Sequence, residues 1–185
     1  MTDTTLPIAI LAAAGFEETT FTDFQKALLA AGHVARVVTP DAGLVQGWHE
    51  DGWGHHFMAD DNLSDMLSAD FSGLIVPNGE RSNKTLNANL HARRFVKAFV
   101  DTGKPVLMVA DAVSLLVAAE VAGARRVTGP EAEREAVSAS GAVWVEDEPI
   151  VTNENVVTTT DQTSNGARLQ AFLDLFADAE VQEAA

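Results

Sequence analysis

The chain has 185 residues, 46% of them hydrophobic, a formal net charge of −15 and no cysteine; that size suits one domain with a real core. The acidic balance repels phosphate backbones and anionic lipid, so neither nucleic acid nor a membrane is expected as a partner, and the lack of cysteine removes disulfides, thiolate metal sites and any cysteine nucleophile. The opening MTDTTLPIAIL is not a signal peptide and no run approaches the ~18 apolar residues of a membrane span, so a cytoplasmic location is expected by default.

Residues 6–13 form a short apolar run that reads as a buried strand, broken by Gly15. Residues 20–31 carry Phe21, Phe24, Ala27, Leu28 and Ala31 at helical spacing, with Thr20 and Asp23 as an N-terminal cap and Gly32 as the stop. A strand over 34–39 follows, closed by Pro40 and Gly43, so the chain opens as strand–helix–strand, the start of a parallel sheet. Residues 43–61 read as irregular, and 63–67 as a short helix. Residues 71–76 read as a buried strand stopped by Pro77-Asn78-Gly79, and 89–102 as a helix whose inner face holds Leu90, Phe95, Ala98 and Phe99. A strand over 105–110 runs almost without spacer into a helix over 112–121, which puts a sharp turn at Ala110-Asp111. A helix over 131–139, short strands over 143–145, 149–151 and 156–158, and an amphipathic helix over 165–177 complete the chain. The expected fold is α/β, flavodoxin-like and doubly wound, with a mostly parallel sheet sandwiched by helices. It forms a single domain over 1–185, with a core at about 7–176 and a frayed tail at 177–185. Ligands of such sheets sit at the carboxyl ends of the strands, where three loops converge: 13–18, 77–81 and 110–112.

Those loops carry a resemblance. Gly15-Phe16-Glu17, Ala31-Gly32, Leu74-Ile75-Val76-Pro77, Gly103-Lys104-Pro105-Val106, Asp147-Glu148-Pro149 and Val156-Val157-Thr158, in this order, resemble the DJ-1/PfpI (ThiJ/PfpI) superfamily, whose fold is class I glutamine amidotransferase-like. The likeness runs from about Pro7 to Leu175. It implies a cysteine nucleophile at the strand-to-helix turn, a glutamate bonded to its thiol, and backbone N–H groups at a Pro-Gly-Gly turn and at the elbow that hold an oxyanion. By position, the glutamate is Glu17, the turn is Pro77-Asn78-Gly79 and the cysteine's place is Ala110. This chain departs from the pattern at Ala110, at Asp111 after it, at Asn78 in place of the first turn glycine, and at Thr158-Thr159-Thr160, where many relatives have Thr-Ser-Arg.

Covalent chemistry of the family's kind needs a thiolate, which this chain lacks. If the chain is an enzyme, Glu17 and Asp111 are the catalytic candidates. Two carboxylates facing one pocket do not both ionise cheaply, which leaves an acid and a base for proton transfer on a carbonyl compound. Asp111 equally suits an N-cap of the helix after it. Glu17, Asn78, Gly79, Ala110 and Asp111 are the binding candidates, with N–H donors at Gly79 and the elbow suited to a small anion. His49, Glu50, Asp51, His55 and His56 cluster near Trp48 and Trp53 in no standard zinc pattern; a metal site and an interface loop are both open, and no metal or cofactor is assigned. Ser114 and Ser164 lie in no Gly-x-Ser-x-Gly elbow, and no phosphate-binding loop is present. The expected function is that of a non-catalytic homologue binding a small ligand or a protein partner, as a homodimer or larger homo-oligomer, with a stress role by family analogy. The alternatives are a cysteine-independent lyase or hydratase using Glu17 and Asp111, and a metal-binding module at His55 and His56.

Overall fold

The computed structural model describes residues 6–41 and 43–183. In chain order, β1 (Ile8–Leu11) leads through β2 (Phe16–Glu17) to α1 (Glu18–Ala30) and β3 (Ala35–Thr39). β4 (Leu44–His49), β5 (Gly52–Met58), β6 (Asp61–Asn62) and β7 (Gly73–Val76) follow, then α2 (Glu80–Ala88), α3 (Leu90–Asp101) and β8 (Val106–Met108). α4 (Ser114–Ala118), β9 (Arg126–Val127), α5 (Arg134–Ala139), β10 (Val143–Trp144), β11 (Ile150–Asn153), β12 (Val156–Thr159) and α6 (Asn165–Glu183) complete it.

The main sheet has the order β11-β12-β8-β7-β1-β3-β6, parallel throughout except for the β11–β12 edge pair. Every residue of β1, β7, β8 and β12 is buried, as parallel strands covered on both faces require. Alternation along β1 divides the core. Ala9 and Leu11 join Phe95, Phe99 and Leu116 on one face, and Ile8 and Ile10 join Phe21, Phe24 and Phe172 on the other. The flavodoxin-like, doubly wound architecture is therefore present as expected.

Five local expectations are corrected. Residues 43–61 are not irregular: β4 and β5 form an antiparallel hairpin, attached through β4 to β2 and interrupted by a bulge between Gln46 and Trp48. Gly47, Gly52 and Gly54 hid its alternation. α2 was missed because its buried side is mostly polar: Ser82, Asn83 and Leu86. α1 begins at Glu18 rather than Thr20, capped by Glu17, whose Oε1 accepts from the Thr19 N–H at 3.2 Å. The helix expected over 112–121 is a 3-10 turn over 110–113 followed by the five residues of α4. α6 continues to Glu183, beyond the expected end at 177; the rest of the expected frayed tail, residues 184–185, lies outside the described residues.

Candidate ligand cleft at the strand ends

The carboxyl ends of the strands open into a cleft of about 670 Å³, reached by all three of the expected loops. Gly15 and Glu17 enter it after β1, Asn78 to Arg81 after β7, and Asp111 after β8. The hairpin adds Trp48 and Glu50, and the segments after β9 and β12 add Glu133 and Asp161.

At the elbow after β8, Ala110 is wholly buried at φ 49°. The left-handed region costs an alanine on the order of 1–2 kcal/mol, so the surroundings must hold it there. The Ala110 N–H donates to Thr159 Oγ1 at 3.4 Å, and Ser114 Oγ donates to the Asp111 carbonyl at 2.8 Å. Asp111, rather than Ala110, presents itself to the cleft. Its carboxylate does not cap the helix after it. Oδ1 accepts from the Gly79 N–H at 3.0 Å and Oδ2 from Asn83 Nδ2 at 2.9 Å. The Gly79 donor expected to hold an anion is thus already paired to a carboxylate of the chain itself.

Gly79 sits at φ 140°, and a Cβ there would come within 2.6 Å of the Gly15 carbonyl oxygen. Only glycine lets this turn approach so closely. The approach is held by the Glu17 N–H, which donates to the Asn78 carbonyl at 2.8 Å. Asn78 lines the cleft, and its Oδ1 is buried without a partner among the described residues. Glu17 lines the same cleft as Asp111, but each binds a different backbone N–H.

Among the described residues, six carboxylates line the cleft, Glu17, Glu50, Glu80, Asp111, Glu133 and Asp161, against one cation, Arg81. Burial pushes the Asp111 carboxyl above its ordinary value, against the pull of Asn83 and the Gly79 N–H, and Asp161 adds to the rise. Burial likewise raises Glu133, reinforced by the charges of Asp111 and Glu80. The sequence pointed to Glu17 and Asp111; it missed Glu133 and Asp161, which stand in stretches without a motif. It also missed Arg81, whose guanidinium lies 4.5 Å from the Trp48 ring centroid, and Arg168. The latter is 4% exposed and donates to the Thr160 carbonyl at 2.7 Å, supporting the loop that carries Asp161.

The histidine cluster divides. His55 Nδ1 meets Glu18 Oε1 at 2.6 Å, and Trp48 meets Trp53 edge-on across the hairpin at 5.5 Å. Among the described residues, no three His, Asp or Glu side chains converge as metal ligands would, and no helix is long and apolar enough to cross a membrane.

Comparison with known proteins is specific. The family model described as the DJ-1/PfpI family matches residues 7–173. General stress protein 18 of Bacillus subtilis is 30% identical over 155 residues, which covers 82% of this chain and 86% of that protein. Protein/nucleic acid deglycase 2 of Escherichia coli is 28% identical over 152 residues, with the same shares. Among solved structures, a two-domain protein from Anabaena variabilis with DJ-1/ThiJ/PfpI-like and ferritin-like domains matches with a TM-score of 0.85 at 22% identity, over 94% of this chain and 48% of that one. Schizosaccharomyces pombe DJ-1 matches with a TM-score of 0.76 at 19% identity, over 94% and 91%. At these identities the two structures bear on the fold alone.

Proposed function

Because the chain belongs to the DJ-1/PfpI family, we propose that it is a member without covalent catalysis, one that binds a small ligand in the acidic cleft. The observation that carries this is the elbow. A buried methyl stands where a nucleophile is required, and the Asp111 carboxylate already takes the Gly79 N–H that would face an oxyanion. With six carboxylates around the cleft, the small anion suggested by the turn is disfavoured. A neutral or cationic ligand rich in N–H or O–H donors fits better. The likeness to a general stress protein supports a stress-related role. The chain is proposed to act in the cytoplasm as one domain over 1–185, as a homodimer or larger homo-oligomer.

A second function is favoured by the raised Asp111 and Glu133 carboxyls: a cysteine-independent lyase or hydratase acting on a small carbonyl compound, with Asp111 as the acid and Glu17 as the base. Methylglyoxal consumption separates the two. The expected outcome is no turnover by the native chain, Glu17→Gln or Asp111→Asn. Turnover by the native chain that disappears in Glu17→Gln would overturn the non-catalytic proposal and make the carboxylates the active site.

A further inference from the structure

One stretch of the chain reverses the overall charge. Residues 81–100 hold Arg81, Lys84, Arg93, Arg94 and Lys97 and no acidic residue, within a chain of net charge −15. Arg81 belongs to the ligand cleft. On α3, by contrast, Arg93, Arg94 and Lys97 line a separate groove of about 180 Å³ with Leu90, closed by Ala118 at the end of α4 and by Ala119 and Glu120 just after it. Positions 90, 93, 94 and 97 share one helical face, so Leu90 stands with the cations and not on the inner face expected from the sequence. The opposite face, with Ala92, Phe95, Val96, Phe99 and Val100, is buried in the core, so the basic face is committed outward.

These cations are poorly matched within the molecule. Lys97 pairs with Asp101 of its own helix at 3.2 Å, while Arg93 and Arg94 make no ion pair among the described residues. Arg93 Nε is buried without a hydrogen-bond partner, so no described side chain holds this guanidinium through that donor. Leu90, at the same groove, is 49% exposed.

We propose that this groove docks an acidic segment of a partner protein, with Glu or Asp side chains on Arg93, Arg94 and Lys97 and an apolar side chain on Leu90. Guanidinium groups bind carboxylates in paired geometry, and the groove supplies two of them beside an apolar contact. Charge complementarity also selects the class of partner. A nucleic acid or an anionic membrane is an extended polyanion that would lie over the acidic remainder of the body, whereas a short acidic segment touches only the basic face. Glu120 at the end of the groove repels a carboxylate there, so the partner's acidic residues belong along α3.

The test is fluorescence anisotropy of the full chain with a short labelled peptide of Glu and Asp residues around one Leu. Saturable binding that weakens with salt is expected. Arg93→Ala and Arg94→Ala should each weaken it about fivefold, the scale of a surface ion pair, and Arg94→Glu more. Lys26→Ala, an exposed cation on α1, should leave it unchanged, as should a circular dichroism check of each variant's fold. Absence of binding, equal binding by Arg94→Glu, or equal binding of a peptide with Gln and Asn in place of the acids would overturn the proposal. Tighter binding of duplex DNA or phosphatidylserine vesicles through the same residues would overturn it too.

Discussion

Asp111 ties together segments far apart in the chain: the elbow after β8, the turn at Gly79 and the second turn of α2 at Asn83. Because burial raises its carboxyl in the folded protein, the native state favours the protonated form more than the unfolded chain does. Its contribution to stability is therefore fullest below the unfolded value of ~3.9 and declines as pH rises through the folded value. Asp111→Asn removes that decline. Its amide oxygen still accepts from Gly79, and Asn83 Oδ1, buried without a partner, can turn to accept the new N–H. In urea melts, Asp111→Asn should match or exceed the native chain by about 1 kcal/mol at neutral pH, with the gain vanishing in acid. Asp111→Ala should lose about 1–3 kcal/mol, since the Gly79 N–H is left unpaired. Destabilisation of Asp111→Asn at neutral pH alone would refute this sign. The elbow was legible in the sequence because a strand meets a helix there with no spacer. The direction of the Asp111 side chain was not, since its partners lie 32 and 28 residues away and nothing local announces them. Capping was the local alternative, and a tertiary contact displaced it.

At the scale of elements, the β4–β5 hairpin is clamped to the start of α1 by one side chain. Glu18 Oε2 accepts from the His55 N–H at 2.8 Å while Oε1 meets its ring, and Glu18 is itself buried. Gly47 and Gly54 leave room for this carboxylate; a Cβ built on Gly54 would overlap Glu18 Oε2. Burial pushes the Glu18 carboxyl up, but the N–H and the ring of His55 outweigh it and hold it below its ordinary value. The clamp is therefore fully present above the unfolded value of ~4.3 and is lost as pH falls through the folded one. Gly54→Ala should displace the carboxylate and cost about 1–3 kcal/mol at neutral pH, with the deficit shrinking in acid, where the native clamp is lost as well. Chemical denaturation at two pH values measures both; a Gly54→Ala deficit that does not change with pH would assign the cost to strand packing alone. The glycines that make the clamp possible also erased the alternation by which the hairpin would have been legible. α2 escaped notice for a related reason. Ser82 Oγ accepts the Ala13 N–H at 2.9 Å, so this helix turns hydrogen bonds, rather than an apolar stripe, toward the body. β1, β3, β7, β8 and β12 of the main sheet and the extent of α3, built from apolar runs and helical spacing, were legible because burial dictates them, whereas the two-residue edge strand β6, only half-buried, was not.

Over the whole molecule, net charge was legible as a total and misleading as a distribution. Residues 41–70 hold seven acidic residues and no Lys or Arg, while 81–100 hold five cations and no acid, and a total of −15 averages the basic face away. The acidic regions repel one another in the compact state, and exposed ion pairs such as Arg126–Glu148 and Lys97–Asp101 offset little, at about 0–1 kcal/mol each. Added salt shortens the Debye length from ~30 Å at 0.01 M to ~3 Å at 1 M, which removes the long-range repulsion first. Contacts such as Glu18 with the His55 N–H and Asp111 with the Gly79 N–H act at hydrogen-bond distance in partly dry surroundings and are screened far less. Thermal melting at neutral pH across that salt range should therefore show Tm rising, by about 2–4 °C for each kcal/mol of repulsion relieved in a chain of this size. The same melts in sodium chloride and in sodium sulfate separate screening from the tightening of apolar burial that sulfate brings: a rise in chloride is the screening effect. A Tm that falls in chloride would mean that the paired charges outweigh the unpaired ones, and the surface would then have to be described as a network of ion pairs rather than as blocks of like charge.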